Sequence, residues 1–187
     1  PAALLAYDHA RDFAAANAGA VLLCAGAGTS NADAADMAAP SVRVLEAGQD
    51  LSGIHARLLY QGQEYAVRAP IHGMHHVDNV ALAFAAACGV GVEPQRVISA
   101  LRSLPQIAHR LEVKPQPDGS VLIDDAYNSN PSGFASALDL LDLYRKSGRR
   151  GVLVTPGMVE LGTLHDSAHA DLGARAADCA DVLLAVA

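Results

Sequence analysis

HRLEVKPQPDGSVLIDDAYNSNPSG, residues 109–133, contains in twenty-five residues a turn, a strand, a pair of acids and a helix start. Pro117-Asp118-Gly119 is a turn signal, and Val121, Leu122 and Ile123 after it form a short apolar run that predicts a strand, with 109–116 as its hairpin or short β partner. Asp124 and Asp125 stand at the strand's carboxyl end. Asn128, Ser129 and Asn130 can each cap a helix, and Pro131 suits a first helical position because its missing N–H costs nothing there. In an open α/β sheet, ligands sit beyond the carboxyl ends of strands. Two carboxylates, the phenol of Tyr127, two amides and a helix N-terminus are therefore expected where a ligand would bind.

What surrounds this stretch sets its class. C-terminal to it, strand-like and helical patterns alternate: a helix over 131–145, a strand over 151–155, a helix over about 166–178 and a strand over 182–186. That alternation predicts a parallel sheet with covering helices. Leu138, Leu141 and Tyr144 form the apolar stripe of the first helix, and Arg145 and Lys146 suit its C-terminus. N-terminal to it, Val77–Ala87 has helical spacing, and Glu93-Pro94 opens a second helix with Val97, Ile98 and Leu101 on one face. Residues 105–110 are expected to link two domains. Earlier still, Val42–Leu45, Ile54–Tyr60 and Tyr65–Ala69 alternate as strands of a small antiparallel meander. A short helix over 8–17 and a buried strand over 20–24 are expected at the start.

Composition excludes several classes. The chain has 187 residues, 51% hydrophobic and 18% charged, which fits a globular protein with a core. Net charge is −7 and aromatics are 4%, so a basic, aromatic nucleic-acid surface is not expected. No apolar run is long enough for a bilayer, and the first residues lack the pattern of a secretory signal. Cys24, Cys88 and Cys179 are isolated and lie in apolar surroundings, so reduced buried thiols and a cytoplasmic setting are expected. The chain lacks an initiator Met and stops on an apolar strand, from which a fragment is expected.

Gly26-Ala27-Gly28-Thr29-Ser30-Asn31 puts Asn31 where a dinucleotide loop needs its third Gly, and Lys114 and Lys146 do not follow a Gly as a P-loop requires. A strand-to-helix connection is the plain reading. His72, His75 and His76 cluster without the H-E-x-x-H spacing of a zinc site, and a polar helix N-terminus with Asn79 on the same face is preferred. His165 and His169 share a helix face and read as solvated surface groups. Neighbouring acids in extended chain point to opposite sides. Asp124 and Asp125 are therefore a poor proton-transfer pair and better suited to ribose hydroxyls.

Three ordered motifs resemble the Mur ligase family. Arg110-Leu111-Glu112 followed by Asp124-Asp125-Ala126-Tyr127-Asn128-Ser129-Asn130-Pro131 is similar to the G-R-L-E and D-D-S-Y-N-A-N-P of the MurF type, which adds D-alanyl-D-alanine to the muramoyl tripeptide nucleotide. Gly73-Met74-His75-His76-Val77-Asp78-Asn79 resembles G-x-H-N-x-x-N, and Met158-Val159-Glu160-Leu161-Gly162, with His169 and Gly173 beyond, resembles M-L-E-L-G…H…G.

The resemblance implies an α/β fold in two parts: residues 1–108 as the C-terminal part of a P-loop-type central ATPase domain, and residues 109–187 as the first part of a Rossmann-like C-terminal domain. It implies a MurF-like ligase of peptidoglycan precursor synthesis that uses ATP and Mg2+ to make an acyl phosphate, which an amino acid or dipeptide amine attacks. The partner carboxylate belongs to a nucleotide- or lipid-linked muramoyl peptide. By the same resemblance Asn79 and His75 lie by adenine, and His76 is a further nucleotide-binding candidate. Arg110, the catalytic candidate, reaches the nucleotide with Asp124 and Asp125, and Tyr127, Asn128 and Asn130 line the cleft. The alternatives are a folylpolyglutamate or cyanophycin synthetase relative, a lipid-precursor amidating enzyme, or a non-catalytic nucleotide-binding module. The P-loop and the carbamylated lysine are missing, His76 replaces the family's Asn, and Thr155-Pro156-Gly157 replaces L-G-D. The chain alone is expected to form no amide bond.

Overall fold

The computed structural model describes residues 42–127, 130–159 and 161–186. The helix and strand expected within 8–24, the loop at 25–33, and Asn128, Ser129 and Glu160 lie outside them. The described residues form two compact units. One comprises 42–49, 53–70 and 74–104, and the other 50–52, 71–73 and the chain from Pro105 onward.

In the first unit, β1 (Val42–Asp50), β2 (Gly53–Tyr60) and β3 (Gln63–Ala69) form a sheet in that order. β2 and β3 pair antiparallel, from Ile54 opposite Ala69 to Tyr60 opposite Gln63. The expected meander is present, with longer strands. Period-2 alternation explains its one buried face: Ile54, Ala56, Leu58 and Tyr60 are buried while Arg57 is exposed. The exposed side carries Arg57 between Glu46 and Glu64, an ion pair on each flank. Gly53 is required at the β1–β2 turn. Its φ is +125°, and a Cβ there would lie 2.2 Å from the Ala69 carbonyl oxygen.

Helix α1 (His76–Gly89) packs on β2, and α2 (Pro94–Leu101) packs on β3. The alanines of α1 permit that approach. Ala81, Phe84 and Ala85 are fully buried, and Phe84 meets the rings of Tyr60 and Tyr65 at centroid distances of 5.7 and 5.3 Å.

The second unit opens with the hairpin β4 (Glu112–Pro115) and β5 (Val121–Asp124), antiparallel with Glu112 opposite Asp124. Asp118 builds its turn by accepting from both the N–H and the hydroxyl of Ser120, which holds its carboxyl below the usual range. Helix α3 (Pro131–Lys146) follows, then β6 (Val152–Thr155), a 3-10 turn (Gly162–Leu164), α4 (His165–Cys179) and β7 (Val182–Ala185). β6 and β7 pair parallel, as the α4 crossover between them requires. Phe134 and Leu138 of α3, Met158, and Ala176 and Cys179 of α4 form one buried cluster, with Leu153 against it. Burial pushes the Cys179 thiol pKa up. Val152 and Val154, on the other side of β6, are exposed.

Candidate functional site

β5 and β6 line a cleft of about 530 Å3 along their whole lengths, with Phe134, Ala137 and Leu141 of α3 beside them and Asp124, Asp125 and the Thr155–Gly157 turn at the strands' carboxyl ends. The two ends are built differently.

At β5, the chain leading into β4 is tied down by side chains rather than by a sheet ladder. Gln106 copies a strand: its Oε1 accepts from the Val113 N–H at 2.7 Å and its Nε2 donates to the Val113 carbonyl at 3.0 Å. His109 and Leu111 both lie in the left-handed region, at φ +58° and +49°. A non-glycine residue there costs about 1–2 kcal/mol, so local bonds must over-determine the shape. They do so: the His109 N–H donates to Glu112 Oε2 at 3.0 Å, the Leu111 N–H to Asp125 Oδ1 at 3.0 Å, and the Tyr127 N–H to the His109 carbonyl at 3.1 Å. Leu111 is itself buried. Between these two residues Arg110 is exposed, with its Cζ 4.2 Å from the Tyr127 ring centroid.

Cross-strand register explains the charges. Glu112 and Asp124 are directly opposite, and like charges in that position repel. Lys114, two residues on and so on the same face, cancels the repulsion. Its Nζ is 2.9 Å from Glu112 Oε2 and 2.7 Å from Asp124 Oδ2. His109 Nδ1 is 2.9 Å from the same Asp124 oxygen. The Lys114 hydrogen bond is the largest cause that lowers the Asp124 pKa to about 2, and burial opposes it. Glu112 is held low by the same ammonium, and the Lys114 pKa is raised, mainly by its bond to Asp124. His109, Glu112 and Asp124 are the group among the described residues whose ligand atoms converge within 4.8 Å. The Lys114 ammonium already fills the place of a cation, so this group does not suit Mg2+.

Asp124 thus pairs with a cation and Asp125 with a backbone N–H. Asn130 is the cap that the structure selects: its Oδ1 accepts from the Gly133 N–H at 2.8 Å, with Pro131 at the first helical position. In the first unit, His75 occupies the N-cap of α1 without a side-chain cap bond. Asn79 Nδ2 lies 3.5 Å from His76 Nδ1 on the shared face, and the His75 and His76 rings are 4.1 Å apart. His72 is buried, which lowers its pKa.

At β6, His169 is no solvated histidine. Its Nδ1 donates to the His165 carbonyl at 2.8 Å and its Nε2 accepts from the Met158 N–H at 3.0 Å. Thr155 Oγ1 accepts from the Gly157 N–H at 2.9 Å. Gly157, at φ +89°, is required: a Cβ would lie 2.6 Å from His169 Nε2.

Sequence reading missed Gln106, His109, Lys114 and the role of His169. Only Lys114 left a signal, since 112 and 114 share a strand face opposite 124. The others bond to backbone whose position depends on the fold.

Residues 109–187 match the family described as Mur ligase, glutamate ligase domain. The chain is 32% identical over 129 residues to the UDP-N-acetylmuramoyl-tripeptide--D-alanyl-D-alanine ligase of Bacillus subtilis, a match covering 69% of this chain and 28% of that protein. The chain is homologous to part of the Mur ligases. Among solved Mur ligases, MurF from Acinetobacter baumannii superposes with a TM-score of 0.73 at 23% identity, over 96% of this chain and 36% of that one. MurF from Thermotoga maritima in complex with ADP superposes with a TM-score of 0.56 at 21% identity, over 76% of this chain and 33% of that one. The mixed α/β architecture expected from the sequence is therefore that of Mur ligase folds. This Mur ligase homologue spans about a third or less of the relatives it matches.

Proposed function

We propose that this chain is part of a MurF-like ATP-dependent carboxylate–amine ligase of peptidoglycan precursor synthesis. Residues 1–108 are the end of its ATPase domain, and residues 109–187 are the start of its C-terminal Rossmann-like domain. The observation that carries the reading is Arg110. It is an exposed guanidinium held at the carboxyl end of β5, with no carboxylate among the described residues paired to it, in a chain 32% identical to a D-alanyl-D-alanine-adding ligase.

The residues present fit a nucleotide better than they fit a metal. ATP, when bound, supplies the phosphoryl group that activates a carboxylate. Arg110 offers in-plane donors suited to phosphate oxygens and offsets charge that develops there. Asp125, whose Oδ1 accepts from the Leu111 N–H, is the carboxylate proposed to meet a ribose hydroxyl. In the second unit Tyr127 and Asn130 are the proposed lining of the approach, and in the first unit His75, His76 and Asn79 are the proposed adenine contacts. No step is assigned to Mg2+ in this chain. The substrates are a muramoyl tripeptide nucleotide and D-alanyl-D-alanine.

The test is phosphate release by the longer protein that carries this chain with a phosphate-binding loop. Release should require ATP, the muramoyl tripeptide nucleotide and D-alanyl-D-alanine together, and Arg110→Ala should reduce it at least tenfold. Release that ignores the dipeptide, or an unaffected Arg110→Ala, defeats the reading. The 187-residue chain alone should release none.

A further inference from the structure

We infer that Tyr127 is a positioning residue that holds Arg110 ready for an anionic ligand, a nucleoside diphosphate or triphosphate; this rests on the nucleotide reading above. Three observations converge on it. Arg110 sits between two left-handed residues, His109 and Leu111, so its backbone direction is set by the chain and not by its own side chain. The Tyr127 N–H bonds to the His109 carbonyl at 3.1 Å, which ties the ring's backbone to the same kink. The ring then covers the guanidinium at 4.2 Å.

A contact over a ring occupies one side of a guanidinium and uses none of its five N–H donors, which stay free for a phosphate's oxygens. The stack therefore does not compete with ligand. It removes rotamer freedom that an exposed arginine would otherwise lose on binding, and preorganisation of this kind raises affinity without a new contact. Tyr127 is 67% exposed, so the ring is not needed as core. Its hydroxyl is not needed for the stack either, and phenylalanine should serve.

The experiment uses the longer protein that carries this chain with a phosphate-binding loop, with ADP as the probe. In the proton spectrum, the Arg110 side-chain δ protons should be shifted upfield by the ring, retained in Tyr127→Phe and lost in Tyr127→Leu. By calorimetry, Arg110→Ala should abolish most ADP affinity, Tyr127→Leu should weaken it about two- to fivefold, the size of an exposed cation–π contact, and Tyr127→Phe should match the wild type. Far-UV circular dichroism checks that each variant folds. No upfield shift in the wild type overturns the inference whatever ADP does. A weakened Arg110→Ala with an unaffected Tyr127→Leu overturns the inference and spares the nucleotide reading. ADP affinity indifferent to Arg110→Ala, or absent from the wild type, overturns both.

Discussion

The two strand ends that flank the cleft solve one problem by opposite means. Each must hold a kinked loop in place without a sheet ladder. The β5 end does so with charge: Lys114 bridges Glu112 and Asp124, and His109 joins the same oxygen. The β6 end does so with neutral bonds and packing: His169 accepts from the Met158 N–H, Thr155 from the Gly157 N–H, and Met158 is buried. A charged clamp responds to pH and salt, and stays partly wet. A neutral clamp is insensitive to salt but intolerant of added volume. The difference places the responsive chemistry beside Arg110 and leaves the other wall as a rigid support.

The largest expected effect breaks the neutral end. Gly157→Ala meets both a left-handed backbone and the His169 ring, and should cost about 2–4 kcal/mol in urea unfolding. A loss below 0.5 kcal/mol, roughly the scale of a neutral surface change, would show that the turn relaxes freely. His169→Ala leaves the Met158 N–H without its acceptor and should cost about 1–3 kcal/mol. The same variant should show the same loss in about 1 M salt, where screening reaches about 3 Å.

The charged end should behave otherwise. Asp124 has an ordinary pKa of 3.8 and a folded value of about 2. On acidification the unfolded chain takes up the proton first, so its contribution is complete above the ordinary value and is lost as pH falls through about 2. Urea titrations from about pH 5 to about pH 2 should therefore show falling stability, with a shallower slope in Asp124→Asn. Glu112, Asp118 and Asp142 are also held low, so the slope should shrink without vanishing. An unchanged slope would remove the charged clamp from the comparison.

Asn130→Ala tests the helix that starts beside the charged end. Losing the cap on the Gly133 N–H should cost about 1 kcal/mol, and Asn130→Asp should recover most of it. Smallest of all, Arg110→Ala should change stability by less than about 0.5 kcal/mol, because the side chain is exposed, while removing ADP affinity. A large stability loss there would make Arg110 structural.

Much of the fold was legible because it is encoded at short range. The alternation of Ile54, Ala56, Leu58 and Tyr60, the turn at Pro117-Asp118-Gly119, Pro94 and Pro131 at first helical positions, and the strand–helix alternation after 120 all depend on near neighbours. The site was legible only as a place. Residues 109–133 marked a strand end with acids, a phenol and a helix start, and those groups are there. Sequence left three candidate caps, and the tertiary structure chose Asn130. It also turned Asp124 and Asp125 back onto Lys114 and the Leu111 N–H, made His169 an acceptor for Met158, and laid Arg110 over Tyr127.

Apart from the Asn130 cap, each of those outcomes pairs groups ten or more residues apart, several of them with a backbone direction set by the left-handed residues His109, Leu111 and Gly157. Periodicity and capping preference determine which elements form, because they act within a turn of helix or a step of strand. Which donor meets which acceptor is decided only when the folded chain brings distant backbone groups to within about 3 Å.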